Sequence, residues 1–341
     1  MKVKTMLCRR RGVLLSWRSP IEPPGRKVDR RYLQWGGPGR ALRGTGVPGI
    51  AFMMLALSST GCSVLINKVG DALATGNSVY ATDDDPDFVW EAVPFGLKTI
   101  EGLLLQAPKN KNLLFAATSG FTQYGYGHLQ QDADFTEAND LTAATALRGR
   151  ARKMYMRALE YGLRGLEVDV PEFRVLLRKD PQAAVGKLKK SHVPLLYWTA
   201  NAWGAAISIS KDDAELTADQ NLVEALMRRA LALDETYERG SIHDFFISYE
   251  GGRASVGGSF ARAREHFERA KQLSQGLRLA PLVSFAETVS VATQNKKEFQ
   301  TLLEEVLAFD ADKAPEMRVA NLISQRRARW LLARTADLFI D

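Results

Sequence analysis

From Val64 to the C-terminus, apolar residues recur at steps of three and four. Phe88, Val89, Ala92 and Phe95 form one such set, and Leu97, Ile100, Leu103 and Leu104 a second, shifted by a residue or two. Pro94 and Gly96 stand at the join, where a kink or a fresh helix start is expected. Asp85-Pro86 suits a helix start, because proline fits the first turn and acids complement the positive end of the helix dipole. No convincing alternation of apolar and polar residues runs long enough for a strand, and no Asn-Gly or Asp-Gly marks a hairpin turn. The pattern predicts an all-α chain.

The helical pattern repeats. Ala230, Leu231, Ala232, Leu233 and Asp234 align without a gap with Val306, Leu307, Ala308, Phe309 and Asp310. A second helix of tetratricopeptide type carries Ala-x3-Phe-x2-Ala, where small residues admit a neighbouring helix and one ring fills the gap. Ala263, Phe267 and Ala270 fit it, Ala151, Tyr155 and Ala158 fit with tyrosine for phenylalanine, and Val223, Met227 and Ala230 fit loosely. The last small positions, Ala158, Ala230, Ala270 and Val306, are spaced 72, 40 and 36 residues apart. The later two spacings lie near the ~34-residue period of that repeat class, and the first is about two periods. An irregular insert is expected around 170–192. First helices are predicted at 113–130, 195–210, 242–250 and 282–293, with Gly120 and Gly204 letting neighbours in close, and a capping helix over 315–340. Such hairpins bury their apolar faces only by stacking. The expected fold is a tetratricopeptide-like helical-hairpin solenoid, an α-α superhelix.

The N-terminus reads differently. Of the 46 Lys and Arg residues, 12 lie within residues 1–61, beside two acids. Residues 62–341 keep 34 basic against 37 acidic side chains, a net of −3. The positive charge therefore belongs to the tail, and the body offers no broad footprint for nucleic acid. Residues 1–39, rich in Arg, Pro and Gly without apolar periodicity, are expected to be a disordered basic extension, or the product of a start codon assigned too far upstream. Residues 40–61 have the layout of an export signal: Arg40 and Arg43, an apolar stretch from Val47 to Leu57, then Ser58-Ser59-Thr60-Gly61. Eleven mostly apolar residues are too few to span a bilayer, which takes about 20. Ser59-Thr60-Gly61-Cys62 resembles a bacterial lipobox, with Ser59 where the usual pattern has Leu. That resemblance implies lipid attachment at Cys62 and a mature body of residues 62–341. With that thiol consumed, the body contains no other Cys, which excludes disulfides, thiolate metal sites and cysteine nucleophiles.

No enzyme chemistry emerges. The four histidines, His128, His192, His243 and His266, lack metal-site spacing and are expected at the surface or in caps, so no metal and no cofactor is predicted. Gly44, Gly46 and Gly49 make a GxGxxG with no strand before it, and Gly125-Tyr126-Gly127 is a lone GxG within helical pattern. Neither a Walker loop nor GxSxG is present, and no catalytic residue is assigned. Binding fits better. The first helices of a solenoid line its concave side, and three polar-aromatic clusters fall on them: Ser119, Gln123, Tyr124 and Tyr126; Tyr197, Trp198, Asn201 and Trp203; Phe245, Phe246 and Tyr249. Aromatic rings with polar tips suit a groove or pore that needs a few directed hydrogen bonds. On the last helix, Arg326 and Arg329 share a face and make a candidate carboxylate clamp.

Several segments together carry a family resemblance. "DDDPDFVWEAVPFGLKTIEGLLLQAPKNKNLLFAATSGFTQYGYGHLQQDAD" (83–134), "VPLLYWTANAWGAAISISKDD" (193–213), "IHDFFISYEGG" (242–252), "ARAREHFERAKQLSQG" (261–276) and "VANLISQRRARWLLAR" (319–334) resemble the T-component family associated with TRAP transporters. The resemblance runs from about Cys62 to the C-terminus. It implies a non-enzymatic, lipid-anchored periplasmic protein of tetratricopeptide-like hairpins. It further implies association with a TRAP-type periplasmic solute-binding protein, the ability to form a homotrimer, and a pore or groove. Ser63 after the lipidated Cys fits sorting to the outer membrane of a Gram-negative bacterium. The competing expectation is a general envelope scaffold without a transport role.

Overall fold

The computed structural model describes residues 77–340, so the export signal and Cys62 lie outside the described residues. Among the described residues every regular element is helical. Helix α1 is Asn77–Ala81 and α2 is Pro86–Gln106. Asp85 caps α2, its carboxylate accepting from the Asp87 and Phe88 amides at 3.0 and 3.1 Å, with Pro86 in the first turn. Pro94 lies inside α2, which runs on as one helix; there is no fresh start at the Pro94–Gly96 join.

The next helix begins as α3, Lys111–Tyr124, passes through a π-helical turn at Gly125–Gln130, and ends as α4, Gln131–Thr136. It pairs with α5, Leu141–Asp169, which spans about 43 Å at 1.5 Å per residue. Asn110 and Asp140 cap α3 and α5 through the Leu113 and Ala143 amides, both at 2.9 Å. The expected insert holds two short helices, α6 (Phe173–Lys179) and α7 (Pro181–Gly186). The hairpin that follows joins α8, Val193–Ser208, to α10, Gln220–Leu233, with α9, Ala214–Ala218, between them. Helix α11, Ser241–Gly251, pairs with α12, Phe260–Ser274. Helix α13, Ala280–Phe285, runs into a second π turn at Ala286–Ser290, and both pack on α14, Lys296–Ala308. The chain ends with α15, Arg318–Ala333, and α16, Thr335–Leu338.

The repeated small and aromatic positions are the places where helices meet. Ala151, Tyr155, Ala158, Val223, Met227, Ala230, Ala263 and Val306 are fully buried, and Phe267 and Ala270 nearly so. Among the helical glycines, close approach is most acute at Gly162 on α5, where a Cβ would lie 2.2 Å from Thr199 Oγ1 of α8. Gly120 on α3 serves the same purpose against Leu97 of α2, whereas Gly204 meets only ordinary contacts. Glycine costs helix propensity, and these contacts are what it is exchanged for.

The helices do not run out as an open row. Helix α15 packs on α13 and α14 and also against α1 and α2, so the contacts close into a ring. Arg318 Nη1 donates to the Thr82 carbonyl at 2.9 Å. Trp330 meets the ring of Phe135 with centroids 5.5 Å apart. Arg326 reaches Asp87 at 3.1 Å and Asp132 at 3.4 Å.

Candidate functional site

Two clusters of charged and aromatic side chains gather where distant segments of the ring meet. The first forms where the π turn meets α15. A π turn inserts an extra residue into a helix and re-aims the side chains around it. Gly125 and Gly127 flank Tyr126, and a Cβ at either would collide: 2.6 Å from Tyr155 and 2.7 Å from Trp90. The two glycines thus let Tyr155 and Trp90 press against the turn. Tyr155 is fully buried and donates its hydroxyl to Gln130 Oε1 at 2.6 Å.

Tyr126 itself is 49% exposed. Surrounding protein nonetheless pushes its phenol pKa up, with Arg327 opposing and Glu287 and Asp134 reinforcing the shift. A side chain that water reaches while protein mass surrounds it lies on a concave surface. Beside it, Arg327 is 8% exposed and holds two carboxylates. Its Nη1 donates to Asp134 Oδ2 at 2.9 Å and its Nη2 to Glu287 Oε1 at 2.5 Å. Its guanidinium also lies over the Trp330 ring, 4.2 Å from the centroid. Burial alone would lower the Arg327 pKa; the Glu287 carboxylate overrides that and raises it. Asp134 is shared with Arg148, which also binds Glu137 at 2.7 Å.

The second cluster gathers side chains from α8, the loop before α11, α11, and the loop before α13. Arg278, almost enclosed, pairs with Asp244, which is 9% exposed. Tyr197 packs edge-on against Trp198 at 5.1 Å and tilted against Tyr237 at 5.3 Å between centroids. Tyr237 donates to Glu238 Oε1 at 3.0 Å. Glu238, Arg239 and Gly240 all have positive φ, 42°, 56° and 87°, which turns the chain sharply and carries the Glu238 side chain to this cluster. Glu238 is exposed, yet burial in surrounding protein raises its carboxyl pKa, only partly countered by Arg278. Like Tyr126, Glu238 is open to water and crowded by protein. Burial likewise raises Tyr197 and Asp244. Three buried atoms here have no hydrogen-bond partner: Asp244 Oδ1, Arg278 Nε and Trp198 Nε1.

Helix α15 fixes both clusters. Asn321 accepts from the Leu279 amide at 3.1 Å and donates to the Leu277 carbonyl at 2.9 Å, gripping the backbone on both sides of Arg278. Arg327 lies six residues further on, about 9 Å along the helix axis.

The histidines are only partly as expected. His192 is buried and forms a cap: its Nδ1 accepts from the Lys189 amide at 2.9 Å, and its Nε2 lies 3.1 Å from Asp169. His243 is buried as well, not at the surface, and its Nδ1 lies 2.8 Å from His266 Nδ1 across the α11–α12 hairpin. Burial lowers both, His266 to about 4 with His243 as the next cause, so the pair is neutral near pH 7. Among the described residues no group of three or more His, Cys, Asp and Glu is placed to hold a metal ion.

A family model described as the TRAP transporter T-component matches residues 82–339, nearly all of this ring. The chain belongs to that family. The T-component family supplies accessory components of TRAP transporters, and this assigns the protein to such a system at the cell envelope. Among its relatives is an uncharacterized protein of Treponema pallidum (strain Nichols), 27% identical over 268 residues, covering 77% of this chain and 83% of that one. Among the described residues no helix is long and apolar enough to cross a membrane.

Within this T-component, the candidate site residues fall into three environments. Ser119, Tyr124, Tyr197, Trp203, Phe246 and Tyr249 are buried between helices. Ser119 donates to its own helix, to the Phe115 carbonyl at 3.0 Å, and Tyr249 donates to Glu224 Oε2 at 2.8 Å. Trp198 and Asn201 are partly buried, Asn201 donating to the Tyr197 carbonyl at 2.9 Å. Gln123, Tyr126, Arg326 and Arg329 are exposed. Arg326 is engaged with Asp87 and Asp132 and lies over Phe135, so its guanidinium already has carboxylate partners. Tyr126, Tyr197 and Trp198 are brought to the two clusters. The charged members, Glu238, Asp244, Arg278, Glu287 and Arg327, were not legible beforehand. The sole sequence hint was Gly125-Tyr126-Gly127, whose glycines mark a crowded turn.

Proposed function

We propose that this T-component is a periplasmic, lipid-anchored accessory protein that docks a TRAP-type solute-binding protein and offers its ligand an interior passage. Its helices are read as tetratricopeptide-like hairpins, a solenoid closed by α15. The observation that carries the reading is the wall itself. Tyr126 and Glu238 are both open to water and both surrounded by protein, as residues lining a pore or groove would be. Hairpin solenoids present broad surfaces to protein partners, which suits docking rather than catalysis. A diacylglycerol-bearing Cys62, with several acyl chains, would hold the chain stably at the outer membrane, where one chain binds only marginally. A homotrimer is part of the same reading.

The test is purification of the full chain from the envelope of a Gram-negative host beside Cys62→Ala. The membrane-bound chain is expected to begin at a lipidated Cys62 by intact mass and to capture a TRAP solute-binding protein. The variant is expected to leave the membrane. A chain that keeps residues 1–61 in the cytosol removes the anchor. A chain that is lipidated but retains no solute-binding protein supports a general envelope scaffold instead.

A further inference from the structure

The second wall cluster has a charge balance that limits what it can hold. Two carboxylates, Glu238 and Asp244, face one guanidinium, that of Arg278. Arg278 is committed to Asp244. Among the described residues no Lys or Arg nitrogen lies within ion-pair distance of Glu238, whose carboxylate accepts from the neutral Tyr237 hydroxyl at 3.0 Å and has the Trp198 indole N–H nearby. Glu238 therefore has no ion-pair partner of its own, and Arg278 acts on it only from longer range. Asp244, beneath it, keeps Oδ1 buried without a donor. Beside this pair, Trp198, Tyr197 and Tyr237 form a run of touching rings with centroids 5.1 and 5.3 Å apart, the outer two partly open and Tyr197 buried between them.

Aromatic faces carry negative potential and attract cations, most strongly where water is partly excluded, and trios of rings beside a carboxylate suit ammonium groups. A small organic anion meets the opposite situation. It would approach two carboxylates, and the one cation present is already paired. The raised Glu238 pKa agrees with a missing countercharge: its carboxylate is desolvated and undercompensated.

We propose that the recess formed by Tyr197, Trp198, Tyr237 and Glu238 binds the ammonium group of a small amine-bearing solute, cationic or zwitterionic, and rejects simple organic anions. This rests on the reading of the ring interior as a ligand passage and specifies its chemistry. The ammonium supplies the charge that Glu238 lacks and sits against the rings, with Asp244 drawing it from below.

The test uses the purified full chain and two probes of nearly equal shape, tetramethylammonium and pivalate. Saturation-transfer NMR reads the methyl protons of both. Saturable binding of tetramethylammonium is expected, weakened at least tenfold in Glu238→Gln, with no saturable binding of pivalate. Glu238 is exposed, so this variant is expected to keep its fold, checked by circular dichroism. Trp198→Leu provides a second variant, expected to weaken binding as the ring face is lost. Pivalate binding as tightly as tetramethylammonium, or unchanged affinity in Glu238→Gln, overturns the proposal, as does no binding of either probe. Capture of a solute-binding protein by Glu238→Gln is measured in parallel. Docking that survives while ammonium selectivity fails removes this inference alone; docking that fails removes the reading beneath it.

Discussion

Arg327 and Asp134 lie 193 residues apart in sequence and 2.9 Å apart in the fold. That contact joins the last long helix to the end of the first hairpin's leading helix. It is the clearest statement that the helices close into a ring. Glu287 completes the arrangement from the second π turn, so one side chain ties three distant segments together.

Removing the Arg327 charge should therefore loosen the closure. Breaking one member of a mostly buried ion pair typically costs about 3–5 kcal/mol, because a carboxylate is left without compensation. Arg327→Met is expected to lower unfolding free energy by roughly 3 kcal/mol, read by urea denaturation, with faster amide exchange across 318–333. Arg326→Ala removes an exposed pair with Asp87 and should cost less than about 1 kcal/mol. Equal costs for the two would contradict the assignment of Arg327 as the closing residue.

Gly162 and Gly149 share one helix and should respond in opposite directions. A Cβ at Gly162 meets Thr199 Oγ1 at 2.2 Å, and one at Gly149 meets nothing within 4 Å. Gly162→Ala is expected to destabilise by about 1–3 kcal/mol through overpacking. Gly149→Ala, exposed and helical, should stabilise by about 0.5–1 kcal/mol. Thermal unfolding of the two variants side by side decides it.

The His243–His266 pair predicts an acid sensitivity. Burial holds the folded His266 at about 4, below its ordinary 6.5. The unfolded chain therefore takes up the proton first as pH falls. The contribution of His266 is fully present above pH 6.5 and is lost progressively down to about pH 4. Carboxylates with lowered folded values, such as Glu101 and Glu224, lose theirs further into acid, below their ordinary 4.5. His266→Gln should flatten the fall in stability between pH 6.5 and 5, measured by denaturant unfolding at stepped pH. An unchanged slope would show that the pair is not the source.

What could be read ahead of the structure follows from the range of the interactions. Helix spacing and caps are local, so Asp85 starts its helix where the sequence suggests, and the small positions at 151, 158, 230, 263 and 270 mark the interfaces. Ring closure was not legible, since Arg327 finds Asp134 and Glu287 only after the whole array has folded. The same holds for the wall. Arg326 and Arg329 share a face by spacing, but spacing cannot reveal that Asp87 and Asp132 already occupy Arg326. Aromatic clusters on first helices were visible, yet a helix has an inner and a packed side. Trp203 and Phe246 fall on the packed one, whereas Tyr126, in the π turn, is left open to water.

A ring interior that is wetted and covered by a docked partner would be read by cysteine accessibility. In a chain with Cys8 and Cys62 replaced by Ser, Tyr126→Cys, Glu238→Cys, Lys153→Cys and Ala230→Cys are each treated with a water-soluble maleimide, with and without a TRAP solute-binding protein. The two wall positions are predicted to react in the free chain, unlike buried Ala230→Cys, and to slow when the partner binds, while Lys153→Cys, exposed on α5 and in neither cluster, keeps its rate. Wall cysteines as inert as Ala230→Cys, or reactive but indifferent to a bound partner, would contradict the account.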